Sequence, residues 1–304
     1  MKLRLLKTLV TLILILFVTT QSQAQGCSDA GFCSVGNGFK SMDVSLKNNF
    51  EVGAIYGIAE ENVDVYSQYA SYTRDFNSKF SMSFKVTSQF ATGDFGTSAN
   101  LSDAYVTGNY KFKLASKSRL SVLMGFKVPF NSANEKIDGN SLPMVYQSSL
   151  GTYDVISGVS LTFDKWDFNV AYQLPLTKYN KNSYFSGSLS TTDFQSTNLF
   201  GRKSDGLFRA TYKIKTSNEK FTFKPNVLVI YHFGEDTFEN TIGVREKIAG
   251  SDGLTLNANV IASYKLGFNS FLETSVAVPL VVREARPDGL TREFTIGLAY
   301  KVNF

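Results

Sequence analysis

The sequence is poor in the residues on which many enzymes, metal sites and helical membrane proteins depend. Its 304 residues include one histidine, two cysteines, one tryptophan and six prolines. A Ser-His catalytic pair needs a histidine oriented by a third group, and no active-site motif accompanies His232. A mean hydropathy of −0.08 excludes a bundle of transmembrane helices. Without a phosphate loop, nucleotide motif or metal cluster, we expect no enzymatic activity, no cofactor and no metal.

The first 24 residues have the composition of a secretory signal peptide. Lys2, Arg4 and Lys7 precede the apolar run Leu9–Val18, and small residues follow at 22–24. The run is too short to cross a bilayer as a helix. Removing this segment lowers the formal net charge of +5 by three, so nucleic-acid binding gains no support.

Both cysteines, Cys27 and Cys33, lie in a segment that we predict to be periplasmic, residues 25–48. Export favours a disulfide between them. A metal or redox role is an alternative, since two thiols suit Cu(I) although they are an incomplete zinc site. A lipid anchor on Cys27 is a third, less favoured reading, because Ala24-Gln25-Gly26 is a poor match to a lipobox.

Alternation of apolar and polar residues organises residues 49–304 into about twelve strands. Successive side chains of a strand point to opposite faces, so each of these strands has one apolar and one polar face. The first predicted strand is Asn49–Ile58. The second, Val63–Asp75, alternates weakly, for which we predict a β-bulge. A Gly-rich loop is predicted over Ala91–Asn100.

The predicted connections alternate between short turns and long loops. This asymmetry, with an even number of strands, predicts an all-β fold: an antiparallel up-and-down transmembrane β-barrel. The first strand must then pair with the last, because an open edge in hydrocarbon would leave backbone groups unpaired. Three prolines fall where strands end before loops, at Pro129, Pro175 and Pro279.

The closing stretch, Leu290–Phe304, alternates to its last residue, with Tyr300, Val302 and Phe304 on the apolar face. Here the sequence resembles bacterial outer-membrane β-barrel proteins. The resemblance implies that the barrel-assembly machinery reads these three residues, and that the barrel lies in the outer membrane of a Gram-negative bacterium with both termini periplasmic. The apolar-Pro-apolar strand ends are similar to those of a diffuse family of outer-membrane transporters linked to aromatic-compound degradation.

The polar residues at alternate positions of the predicted strands face the lumen. We expect a porin-like channel for passive passage of small solutes through a polar, mildly basic lumen, which would favour anionic or neutral solutes. Alternatively, the charges only pair with one another, or the barrel is a structural or adhesion protein, or, less favoured, a hydrolase. The expected partners are outer-membrane lipid, the assembly machinery and a small solute. The predicted lumen-lining residues include Lys85, Lys111, Lys127, Asp154, Asp167, Arg209, Lys213, Lys224, His232, Glu273 and Glu293.

Overall fold

Twelve long strands form the framework of the protein, here a computed structural model that describes residues 46–115 and 118–304. The predicted signal peptide, Cys27 and Cys33 lie outside the described residues. The strands are, in chain order, β1 Asn48–Ile58, β2 Asp64–Asp75, β3 Phe80–Gly93, β4 Gly96–Ala115, β5 Ser118–Pro129, β6 Asp154–Phe163, β7 Trp166–Pro175, β8 Asp205–Tyr212, β9 Phe221–His232, β10 Gly253–Lys265, β11 Ser270–Val281 and β12 Phe294–Asn303. Residues Ile214–Lys215 continue β8 along β9.

The sheet closes on itself where β12 meets β1. Every long strand pairs antiparallel with its neighbours in sequence, and the closing register runs from Asn49 opposite Asn303 to Ile58 opposite Phe294. The predicted twelve-stranded antiparallel barrel and its closing pair are therefore confirmed. Closure gives the edge strands their backbone partners, and each unpaired group in hydrocarbon would cost several kcal/mol, in order of magnitude.

The two faces of the barrel wall differ in polarity. In β12, Ile296, Leu298 and Tyr300 are 46%, 53% and 42% exposed, whereas Ala299 and Lys301 on the other parity are buried. The same contrast recurs around the barrel, where large apolar side chains cover the outer face, among them Phe84, Val106, Met124, Val170, Phe208 and Val260. An apolar exterior around a polar interior is the pattern of a barrel that stands in lipid.

The predicted loop over Ala91–Asn100 is wrong. Strands β3 and β4 continue to Gly93 and Gly96 and are joined by residues 94–95. Gly96 has φ +103°, which a side chain would strain, and a Cβ on Gly93 would lie 2.3 Å from the Tyr146 hydroxyl. The glycines therefore shape a tight hairpin, and their small neighbours obscure the alternation in the sequence.

The predicted bulge in the second strand is also wrong. β2 keeps a continuous register with both β1 and β3. Its weak alternation has another cause, because Tyr69 points inward to Glu51 whereas Gln68 is exposed on the outer face. Irregular register occurs instead between β3 and β4, near Val86 and Ser88, between β4 and β5, near Lys113, and between β10 and β11, near Leu256.

Long and short connections lie at opposite ends of the barrel, as the alternation predicted. One end carries short turns at 76–79, 164–165, 216–220 and 266–269, and the end of β4 and the start of β5 lie there as well. The other end carries 59–63, 94–95 and four long loops, 130–153, 176–204, 233–252 and 282–293. We call these four loops the cap. Among the described residues, no helix is long and apolar enough to cross a membrane.

The cap has an apolar core of its own. Each of its four loops contributes to one buried cluster, made of Ala133, Met144, Leu150, Phe200, Ile248 and Leu290. These loops start from strands distributed around the barrel, so their common core must lie across the barrel mouth. The cap therefore covers the end of the barrel that carries the long loops.

Candidate functional site

The inward face of the barrel wall carries charged residues that are buried and paired with one another. Lys127 and Asp154 face each other on β5 and β6, with 2.9 Å between Nζ and Oδ2, and are 1% and 0% exposed. Thr152 accepts a hydrogen bond from Lys127 at 3.0 Å, and Gln173 donates to Asp154. Desolvated ions of this kind are tolerated only when their partners are close.

A longer network crosses the closing seam, and we call it the wall network: Glu51, Tyr69, Lys224, Glu273 and Lys301. Lys301 Nζ lies 2.5 Å from Glu273 Oε1 and 3.4 Å from Glu51 Oε2. Lys224 Nζ lies 2.9 Å from the other oxygen of Glu273. The Tyr69 hydroxyl donates to Glu51 at 2.6 Å. Alternating charges thus join five strands, including both strands of the seam.

The remaining sequence-predicted lumen residues lie at several depths. Lys85 is buried with Nζ 4.1 Å from the Tyr69 ring centroid, and Lys111 pairs with Asp75 at 2.9 Å. Asp167 accepts a hydrogen bond from Ser160 at 2.9 Å. Two others are exposed at the barrel ends: Lys213 at the short-turn end and Glu293 just before β12. Arg209 lies on the inward face of β8, between the buried Leu207 and the half-buried Thr211.

The interior also contains an apolar patch that the sequence reasoning did not include. Six buried side chains on β4 to β9 pack together, with Ile230 against them: Tyr105, Leu123, Ile156, Ala171, Leu207 and Leu228. These positions have the same parity as the inward charges, so the alternation could have identified them. The interior wall is therefore part charged and part apolar.

The cap is fastened to the barrel by a second charged group, which we call the rim cluster: Arg202, Asp205, His232, Asp236, Arg283 and Asp288. Its six residues are at most 8% exposed. Only Asp205 and His232 belong to strands, as the first residue of β8 and the last of β9. The other four come from three cap loops, where the sequence has no periodic pattern that could place them.

Asp288 is the anionic centre of the part of the rim cluster that lies on the loops. Its Oδ2 is 2.8 Å from Arg283 and 3.4 Å from Arg202. Burial opposes the charged form, but Arg283, Arg202 and His232 outweigh it and hold the pKa of the Asp288 carboxyl well below its usual range. Asp288 therefore stays ionised at neutral pH and binds two arginines of different loops.

His232 binds a carboxylate at each ring nitrogen. Nδ1 lies 2.6 Å from Asp205 Oδ1, and Nε2 lies 2.8 Å from Asp236 Oδ1. Ionised carboxylates only accept hydrogen bonds, so both nitrogens must donate and the ring is an imidazolium. With both nitrogens occupied by carboxylates, His232 has no free nitrogen to act as a base towards a serine or water.

The chain end lies at the seam, on the short-turn side. Tyr300 and Phe304 are 42% and 55% exposed, and Val302 shares their parity. The backbone of Phe304 exchanges two hydrogen bonds with Asn48, each of 2.9 Å. The three residues of the predicted assembly signal thus lie on the outer face of the last strand.

Comparison with solved structures shows that the fold is that of outer-membrane β-barrels. The COG4313 outer membrane channel from Pseudomonas putida F1 matches with a TM-score of 0.60 and 12% identity, over 88% of this chain and 98% of that one. Lower TM-scores are found for the NalP translocator domain of Neisseria meningitidis (0.49, 10% identity, 89% and 92% covered) and the NanC porin (0.48, 12% identity, 84% and 98% covered). No protein-family model and no curated protein matches the chain.

Proposed function

We propose that the protein is an outer-membrane channel for passive passage of small solutes. The observation that carries the proposal is the closed barrel, with an apolar outer face and charged side chains on its inner face. A barrel of this kind needs no energy source, because solute moves down its own gradient through the interior. The fold shared with a channel from Pseudomonas putida F1 supports the same reading.

The location and orientation belong to the same proposal. The barrel lies in the outer membrane of a Gram-negative bacterium, with the short turns and both chain ends on the periplasmic side and the cap outside. Long loops on the external side are usual for such barrels. A protease added to intact cells should cut in the cap and leave an epitope placed after Phe304 uncut; cleavage of that epitope would reverse the orientation.

The proposed lumen is polar and mildly basic. The ion pairs on its wall reduce the preference for anions, because Lys127, Lys224 and Lys301 each have a carboxylate within 3.4 Å. We therefore expect weak anion selectivity and passage of small neutral solutes. Charge selectivity is read from the reversal potential of a bilayer with a salt gradient across it. A strong cation preference would contradict a basic lumen.

Reconstitution of the purified, folded barrel tests the channel directly. Liposomes that contain it should swell in small neutral solutes of low mass, and bilayers should show discrete conductance steps. The heat-unfolded protein, reconstituted in the same way, is the matched control. A folded barrel that is electrically silent and solute-tight under every condition would contradict a channel.

A binding role for the cap is the second candidate, favoured by one hairpin. Strands Thr237–Glu239 and Arg245–Lys247 form a turn whose tip exposes 81% of Ile242 and 51% of Val244. Asn240 fixes this tip by accepting hydrogen bonds from the backbone of both residues. If the barrel is an adhesion protein, replacing Ile242 by Ser should weaken attachment to surfaces or cells without altering conductance; unchanged attachment would exclude this hairpin.

A further inference from the structure

The rim cluster joins three cap loops that the barrel strands hold apart. Arg202 of loop 176–204 pairs with Asp205 at 2.6 Å and with Asp288 of loop 282–293 at 3.4 Å. Arg283 of that loop pairs with Asp288 and donates to the Ser251 carbonyl of loop 233–252 at 2.5 Å. Outside this cluster and the apolar core, the three loops are joined by a few hydrogen bonds, such as the mutual backbone pair of Gly201 and Thr237 and the bond from Ala285 to the Gly250 carbonyl.

Loop 233–252 is attached to the cluster through Asp236. Its Oδ1 accepts from His232 at 2.8 Å and from the Lys203 backbone at 2.8 Å, while its own backbone donates to Ser251. Asp236 and Ser251 are both 0% exposed. The bond to His232 is therefore the charged contact between this loop and the end of β9.

The charges of the rim cluster balance only when His232 is protonated. Three aspartates then face two arginines and one imidazolium. A neutral ring carries one proton, so one nitrogen would present a lone pair to a carboxylate oxygen less than 3 Å away. One of the two bonds must then break, and the cluster keeps an uncompensated buried negative charge, which is costly.

We propose that the rim cluster is a proton-dependent latch that holds the cap over the barrel mouth, closed while His232 is an imidazolium and released when the ring loses a proton. This inference rests on the proposed channel function, and it names the regulation of that channel. The latch closes at neutral pH and opens at alkaline pH. His232 is a positioning residue, because it acts through Asp236 on the position of loop 233–252.

The charged groups around His232 set the direction of the response. Asp205 faces it from β8, Asp236 from loop 233–252 and Asp288 from loop 282–293, and all three favour the imidazolium. Arg202 and Arg283 oppose it. Burial alone would raise the pKa of Asp288, but Arg283 and Arg202 outweigh it and hold that pKa below its usual range, so this carboxylate stays charged from neutral to alkaline pH. Over that range His232 is the group of the cluster that changes charge.

Bilayer recordings at rising pH, from neutral to strongly alkaline, test the latch. The wild-type channel should increase its open probability about tenfold, the factor expected when a hydrogen bond to a charged group is lost. His232→Gln should remain open across the range, because both N–H donors of its amide are on one nitrogen and its oxygen only accepts, so it cannot donate to carboxylates at both ring positions. Glu235→Gln, next to Asp236 in the same loop, is the matched control and should keep the wild-type profile.

Asp205→Asn gives the opposite result and separates a latch from a merely structural role. Its amide nitrogen can donate to Nδ1 of a neutral ring, while its oxygen still faces Arg202, and Nε2–H can still bond Asp236. The cap should therefore stay closed at alkaline pH. An Asp205→Asn channel that opens as the pH rises, like the wild type, would overturn the proposal.

Failure of the latch and failure of the channel are distinguishable. A barrel that conducts equally at every pH is a channel without this latch. If it conducts at no pH, the channel is contradicted, and the latch is judged by two other readouts. Nitrogen NMR of the single histidine should show two ring N–H groups at neutral pH, and amide exchange of residues 233–252, corrected for intrinsic rates, should rise about tenfold as one proton is lost. One ring proton at neutral pH, or unchanged exchange, would overturn it.

Discussion

The barrel wall and the cap both contain buried ion pairs, but those of the wall join strands of one sheet, whereas those of the cap join separate loops. The wall network connects strands that the backbone of the sheet already holds in register, such as β1 and β12 through Glu51 and Lys301. The rim cluster connects loops that share few backbone hydrogen bonds with one another. Breaking the wall network should therefore lower the stability of the whole barrel, whereas breaking cap contacts should open the cap locally.

The largest expected effect comes from the wall. Glu273→Gln removes the carboxylate that Lys224 and Lys301 share and leaves both ammonium groups with weaker partners. Removing one partner of a buried pair costs about 3–5 kcal/mol. Urea unfolding of the reconstituted barrel measures this loss, and anion selectivity should rise. Glu293→Gln, at an exposed carboxylate, is the control; equal losses in both variants would mean that the buried pairs are unimportant.

A substitution on the outer face of the wall should also destabilise the barrel. Leu298→Arg places a charge at the middle of β12, on the apolar exterior, and should destabilise the folded barrel by about 2–4 kcal/mol. The same urea titration in lipid vesicles measures it. Phe268→Arg, in the exposed turn 266–269, provides the comparison and should change little. A tolerated arginine at position 298 would place that face in water rather than in lipid.

A smaller, local effect is expected in the cap. Asn182 is fully buried and donates to the carbonyl groups of Ala133 and Leu142 at 2.9 Å and 3.2 Å. It also accepts from Thr197 at 2.8 Å. Asn182→Ala removes these bonds and leaves the Ala133 carbonyl without its side-chain donor, while Leu142 still accepts from Gln147, a cost of about 1–3 kcal/mol.

Amide exchange should locate the Asn182→Ala effect. Protection should fall in loops 130–153 and 176–204 and stay unchanged in β1 and β12. Asn218→Ala, in the short turn 216–220, should leave the cap as it is. If the strands lost as much protection as the loops, wall and cap would be one cooperative unit and the comparison would fail.

The smallest effect is expected where a charged pair lies on the surface of the cap. Lys247 is 75% exposed in its side chain and lies 3.3 Å from Glu235. Exposed pairs contribute about 0–1 kcal/mol. Lys247→Ala should therefore leave cap exchange and conductance within error of the wild type. A clear change would show that exposed charge at the hairpin, and not buried contacts, controls the opening of the cap.

The sequence predicts the wall far better than the cap, for a physical reason. Strand side chains repeat every two residues, so Leu298 and Lys301 can be assigned to opposite faces from their positions alone. The exceptions show the limits: Tyr69 is aromatic but inward, because its hydroxyl reaches Glu51. The loop predicted at Ala91–Asn100 failed because glycines and small polar residues carry little alternation.

The rim cluster could not be predicted, although one of its members was. His232 has the lumen parity and was expected in the lumen, but its partners Asp205 and Asp236 are brought to it by the start of β8 and by a loop. Arg202 and Asp288 are 86 residues apart in sequence. Contacts of this kind depend on the path of irregular backbone, and no repeat in the sequence encodes that path.

The mutual hydrogen bonds of Asn48 and Phe304 make the barrel almost a ring of polypeptide. The position of the chain break is therefore exchangeable in principle: a short linker could join Phe304 to residue 46, and new ends could be opened at the turn 164–165. Such a circular permutant would keep every strand pair while placing its chain ends away from the seam. It would distinguish the contribution of the last strand to the stability of the folded barrel from the contribution of a chain end at the seam to barrel assembly.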